Sequence, residues 1–162
     1  MTMPREKTLI LGIGNPLMGD DGAGIEAARM LAESDLPENV TVLEAGTPGW
    51  GLAEWIRGWP SVVIVDAVCM GQKPGEWRRF NESDVRLVAG QGAISLHESD
   101  LAGGLALAQA LDLLPERLTF YGIEPESTDH GMMLSPSVRA TLPGLVKSIL
   151  NDFAVQAEER VT

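Results

Sequence analysis

Cysteine, histidine, aromatic residues and positive charge are all scarce in this sequence. There is one cysteine, Cys69, in 162 residues. It excludes an intrachain disulfide and a thiolate-rich metal cluster built by this chain alone, so any metal met here has oxygen and imidazole ligands. Only His97 and His130 could supply the imidazole. Lysine and arginine number 12 against 23 aspartates and glutamates, a formal net charge of -11. Such a chain repels phosphate backbones, so nucleic acid is not an expected partner. No apolar stretch approaches the roughly 20 residues that span a bilayer. The first residues, MTMPREKTLILG, also lack an apolar segment with a small-residue cleavage site. No membrane partner is expected, and the cytoplasm is the expected location. Repeats, linkers and low-complexity segments are missing as well, and 44% hydrophobic content is enough for a core, so residues 1–162 read as a single domain.

What is present alternates between two periods. Thr8-Leu-Ile-Leu-Gly-Ile-Gly14 is a short apolar run ending in glycine, the pattern of a buried parallel strand entering a tight loop. After the loop Asn15 to Gly22, the stretch Ala23 to Ser34 carries Ile25, Ala28, Met30 and Leu31 at helical spacing, with Glu26, Arg29 and Glu33 outside. Val40 to Leu43 reads as a second strand, Trp50 to Trp59 as a helix closed by Pro60, and Ser61-Val-Val-Ile-Val-Asp-Ala67 as a third strand. Glu76 to Phe80 suits an edge strand of either sense, antiparallel included, Asp100 to Leu114 a helix, and Arg117 to Ile123 the last strand. Ser135-Pro136 is an N-cap followed by proline at the first helical position, opening a terminal helical region that Pro143 is expected to split and whose charged tail after Phe153 is expected to fray. The βαβ alternation predicts an α/β three-layer sandwich, with a twisted, mostly parallel sheet of about five strands and helices on both faces.

In such sheets ligands collect at the carboxyl ends of the strands. The first strand there leads to Asp20 and Asp21, and the third ends in Asp66 directly after Val-Val-Ile-Val. An ionised carboxylate at the end of a buried strand needs a hydrogen-bond partner, a helix N-terminus or a cation. His97, in Ser95-Leu-His-Glu-Ser-Asp100, precedes a helix and could fold over the same edge. Two carboxylates and an imidazole from three segments would suit a divalent first-row ion. Each residue also has a plain structural reading: Asp20 and Asp21 as caps of the helix near Ala23, Asp66 as an acceptor for loop amides, His97 as a helix-entry residue. His130, in Thr128-Asp-His-Gly131, reads as a surface loop residue and a secondary candidate. Trp50, Trp55 and Trp59 read as core before they read as a partner surface. Cys69, three residues past Asp66, reads as inert packing before it reads as a nucleophile.

Other enzyme signatures fail. Gly12-Ile-Gly14 lacks the third glycine of a dinucleotide fingerprint, and no GxxxxGK[ST] loop occurs. His97-Glu98 is not followed by a histidine at HExxH spacing, and there is no GxSxG elbow.

Five motifs taken together resemble the hydrogenase maturation endopeptidases, which process the large subunit of nickel-iron hydrogenases. They are Leu11-Gly-Ile-Gly-Asn-Pro-Leu-Met-Gly-Asp-Asp-Gly22, Ala45-Gly-Thr-Pro-Gly49, Ile64-Val-Asp-Ala67, Ser95-Leu-His97 and Gly122-Ile-Glu-Pro-Glu126, in a stretch from about Leu9 to Leu150. The resemblance implies a twisted sheet between helix layers and nickel ligands at Asp21, Asp66 and His97. Relatives often carry glutamate at the first of these, so Asp21 shortens that reach by one methylene; Asp20 matches the neighbouring acid of the motif. It further implies an endopeptidase that removes a C-terminal extension from the nickel-loaded large-subunit precursor, cutting after the histidine or arginine that follows the last metal-binding cysteines, with nickel as the recognition signal. Gly46, Thr47 and Gly49 are then expected to hold substrate. Asp21 or Asp66 would position or deprotonate a water, or else the metal only docks the precursor while an acid elsewhere acts as base. Two alternatives stand beside this. One is a non-catalytic nickel-sensing chaperone of the precursor. The other is a peptidyl-tRNA hydrolase-like enzyme, from the opening Gly12-Ile-Gly-Asn-Pro16, although the catalytic histidine expected soon after that opening is missing.

Overall fold

The structure, a computed structural model, describes residues 5–84, 101–131 and 133–159. Within them, five apolar segments pair into one sheet: β1 (Thr8–Ile13), β2 (Val40–Gly46), β3 (Ser61–Ala67), β4 (Trp77–Phe80) and β5 (Arg117–Ile123), in the order β2-β1-β3-β5-β4. The pairs β1–β2, β1–β3 and β3–β5 are parallel, and β4 runs antiparallel to β5 at the edge. The expected sheet is therefore present, including its reversed edge strand. Position in the sheet explains the sequence patterns. β1 and β3 lie in the interior and are buried along nearly their whole length, whereas β2 is an edge strand whose residues are only half covered. Because β2 needs no continuous apolar run, its end at Glu44-Ala-Gly46 was not visible as strand.

Successive residues of a strand point to opposite faces, and each face has its own core. On one face Leu9, Leu11, Val62, Ile64, Leu118 and Phe120 pack with Leu52 and Ile56 of helix α2 (Leu52–Ile56) and with Leu101 and Leu105 of α3 (Leu101–Ala110). On the other, Ile10, Val63, Val65, Tyr121 and Ile123 meet Ala23, Ala27 and Leu31 of α1 (Ala23–Ala32), and Val138, Leu142, Leu145, Val146 and Ile149 of α4 (Pro136–Glu159). Helix α1 sits so low on the sheet that a Cβ on Gly24 would stand 2.3 Å from the carbonyl oxygens of both Ile13 and Val65. Glycine at this position brings the start of α1 directly over the carboxyl ends of β1 and β3.

Three expectations about helices are corrected. The helix predicted over Trp50 to Trp59 is a 3-10 turn at Gly49–Gly51 followed by a five-residue helix. Trp50 consequently lies outside a core-facing stripe: it is 66% exposed, Trp55 is also exposed, and only Trp59 packs against the core. Pro143 does not split α4, which runs from Pro136 to Glu159 through it and through the charged tail expected to fray. An interior proline costs about 3 kcal/mol. Five buried anchors on both sides of Pro143, each contributing about 1.5–3 kcal/mol, outweigh that and keep the two halves collinear.

Candidate active site

Asp66, Asp20 and Glu124 are the acids buried in the described structure, and all three stand at the carboxyl edge of the sheet. Asp66 is the penultimate residue of β3, paired in register with Gly122 of β5. By alternation it shares the face of Val62 and Ile64, the side covered by α2 and α3. It is 0% exposed, and among the described residues neither carboxylate oxygen has a hydrogen-bond partner of good geometry. Burial raises its pKa well above the usual aspartate range, the nearby Asp21 carboxylate raises it further, and the Ala67 amide offsets part of the rise. The expected alternative for Asp66, an acceptor satisfied by loop amides, is not what is found among the described residues: the Ala67 amide alone leans on the carboxyl as a weak donor, outside good hydrogen-bond geometry.

Asp21 is half-buried in the 3-10 turn Gly19–Gly22, and its Oδ2 accepts a 2.9 Å hydrogen bond from the Asn15 amide. That bond closes the loop between β1 and α1 on itself. Neither Asp20 nor Asp21 caps α1, whose N-cap is Gly22 with no side-chain hydrogen bond. Asp20 turns away into the loop after β5. Its Oδ2 accepts from the amides of Glu126 (2.9 Å) and Ser127 (3.2 Å) and from the Ser135 hydroxyl (2.8 Å), and its Oδ1 from the Ser135 amide (2.7 Å). The backbone completes the junction: Asp20 N–H donates to the Ser127 carbonyl, Gly19 N–H to that of Gly131, and Gly131 N–H to that of Leu17.

Other predicted residues sort as follows. Gly46 ends β2 with φ +62, a left-handed conformation suited to glycine, and its carbonyl accepts the Gly14 amide at 2.8 Å. A Cβ there would meet nothing within 4 Å, so the position opens onto space beside the first loop. Thr47 is exposed, and Gly49 begins the 3-10 turn against α3, where a Cβ on Gly104 would lie 2.4 Å from the Gly49 carbonyl. The structure brings Asp21, Asp66 and the Gly46 loop to one edge. His97 lies outside the described residues. His130 is exposed, as expected, in the loop that Asp20 holds. Cys69 is exposed too, so it is not the packed core residue expected.

Two residues escaped the sequence reading. Glu124 follows β5 as Asp66 closes β3, is 8% exposed, and accepts the Met70 amide at 2.6 Å through Oε2. It ties the segment after β3 to the end of β5, and an acid directly after an apolar strand was the signal that could have found it. Ser135 was read only as a cap; its hydroxyl lies 3.5 Å from the Val138 amide while also donating to Asp20.

Chemically, the edge holds a buried carboxyl without hydrogen bonds, a second carboxylate beside it and open space next to Gly46. That is an acidic donor set able to receive a cation. Among the described residues no third histidine, cysteine or acid completes it.

Comparison with known proteins identifies the fold and family. The hydrogenase maturation protease family matches residues 25–152. The hydrogenase expression/formation protein HupD of Rhizobium leguminosarum is 31% identical over 162 residues, covering 97% of this chain and 80% of the relative. The hydrogenase maturating endopeptidase HybD of Escherichia coli superposes with a TM-score of 0.81 at 27% identity, covering 93% of each chain. The [NiFe] hydrogenase maturation protease HybD of Thermococcus kodakarensis gives 0.72 at 37% identity, covering 88% of this chain and 96% of that one. The chain thus belongs to the hydrogenase maturation protease family and is an endopeptidase, a hydrolase of peptide bonds.

Proposed function

We propose that this endopeptidase removes a C-terminal extension from the nickel-loaded precursor of a nickel-iron hydrogenase large subunit, in the cytoplasm, receiving the substrate's nickel through Asp21, Asp66 and His97. The observation that carries the reading is Asp66, a fully buried carboxyl with both oxygens unpartnered beside a second carboxylate. A protein pays for such a group only if something else satisfies it, and two neighbouring acids call for a cation. The membership of a family named for hydrogenase maturation supplies the precursor as the cation's carrier.

Burial favours the neutral form of the Asp66 carboxyl, and Asp66 would serve a nickel ion as a carboxylate ligand on giving up any proton it holds to solvent. Nickel held there would supply positive charge to orient the precursor and polarise a nearby carbonyl. Asp21, held from Asn15, keeps an oxygen free for the metal or for a water. Gly46, Thr47 and Gly49 border the edge where the precursor backbone would lie, with Gly46 offering room for close approach. Asp21 and Asp66 are the candidates to position or deprotonate the attacking water.

The test is mass spectrometry of a nickel-loaded large-subunit precursor incubated with the protein, with Asp66→Ala and with His97→Ala. Loss of one C-terminal peptide with the wild type alone is expected. Undiminished cleavage by Asp66→Ala would remove both roles from that residue, and a precursor bound but left whole by the wild type would favour the chaperone reading instead.

A further inference from the structure

We infer that Asp20 is a positioning residue for the protease reaction: by holding the loop after β5 onto the loop after β1, it sets where Asp21 stands beside Asp66. The inference rests on the proposed role of Asp21 in receiving the precursor's metal.

Asp20 is 1% exposed, and the hydrogen bonds of its side chain run to the loop after β5, none to a strand. Its partners Glu126, Ser127 and Ser135 lie 106 to 115 residues away in the chain. Every one of those four contacts is an N–H or O–H donating to the carboxylate, which makes an anion the fitting occupant. Asparagine would keep one acceptor oxygen and turn its NH2 toward donors, so even this conservative change breaks the junction. The main chain of Asp20 is held as well, through its N–H to the Ser127 carbonyl at 2.9 Å. The Gly19–Asp20 peptide and the Asp20 side chain are thereby both tied to the loop after β5, one residue before Asp21.

Among the described residues the Asp21 carboxylate has a single anchor, the Asn15 backbone amide. Without the Asp20 junction, that bond and the short turn Gly19–Gly22 would be left to define the Asp21 oxygen positions. The same junction carries Leu17 and Met133, 58% and 74% exposed, on the two loops it joins, so it also shapes the surface around the acids. Because the fully buried cores on both faces are built almost wholly from strand and helix residues, with only Leu134 of these loops packed at the margin of one, loss of the junction should loosen the site before it unfolds the sheet.

The experiment is steady-state cleavage of nickel-loaded precursor by the full chain, comparing wild type, Asp20→Asn, Asp20→Ala, Asp21→Ala and Leu31→Ala, all at a temperature where circular dichroism shows them folded. Leu31 is a core residue of α1, and its truncation controls for lost stability alone. Both Asp20 variants should raise KM about tenfold with kcat within about threefold of wild type, and Leu31→Ala should leave KM unchanged. Asp20 variants that match Leu31→Ala, while Asp21→Ala raises KM, would overturn the inference and leave the proposed function standing. If Asp21→Ala leaves KM and kcat unchanged, the metal role of Asp21 fails and the inference falls with it.

Discussion

Two aspartates at the same sheet edge are buried to the same degree and treated in opposite ways. Asp20 receives four hydrogen bonds from one loop, whereas Asp66 receives none on either oxygen. In water both would be ordinary carboxylates. Inside the fold, Asp20 has its charge matched by donors and acts as a tie between loops, while Asp66 has its charge opposed by desolvation and by Asp21 and is left waiting for a proton or a cation. Burial of an acid is therefore not by itself a sign of function. The sign is burial with no donor or cation in the surrounding fold to satisfy it.

The largest effect that would break this comparison is on catalysis. Asp66→Ala should lower kcat/KM for precursor cleavage about a thousandfold, roughly 4 kcal/mol at the transition state, measured by the mass of the precursor. A loss of only twofold would make Asp66 as structural as Asp20. Next comes stability: Asp20→Ala, which strands buried donors, should cost about 3 kcal/mol in urea unfolding. A cost near zero would mean that the junction carries no energy.

The third prediction uses pH. Asp66 has a folded pKa raised above its unfolded value, so its neutral form is the one the fold accommodates. The associated stability is fully present below the unfolded pKa, about 3.9, and is lost as pH rises from there toward the folded value. Asp66→Asn, which cannot ionise, should therefore gain on wild type with rising pH, by about 1 kcal/mol or more at pH 8. Parallel melting curves at every pH would show that Asp66 is ionised and satisfied. The smallest effect is expected from Ser135→Ala, which removes the hydroxyl from Asp20 but keeps the Ser135 amide on it, at about 1 kcal/mol.

The comparison also shows what was legible in advance. The strands β1, β3 and β5 were readable because interior parallel strands are apolar on both faces, and Asp66 stood out as a charge directly after such a run. Glu124 bears the same mark after β5, but the shorter apolar stretch before it makes the signal weaker. The extent of α2 and the exposure of Trp50 were misjudged because a helical spacing of tryptophans does not say whether a helix is long enough to present them to the core. Pro143 does not break α4 because the packing that holds it comes from strands and from α1, far away in sequence.

By itself, the sequence determined the class of fold, the one edge where its acids gather and the motifs that mark its family, since apolar period and strand-terminal charge are local properties. Which acid does what was decided by tertiary structure alone. Asp20 and Asp21 are adjacent and chemically identical, yet one meets donors from residues 126, 127 and 135 and the other stays with Asn15 and faces Asp66. A carboxylate's role depends on the donors and charges around it, and those arrive only when distant loops are folded onto the same edge.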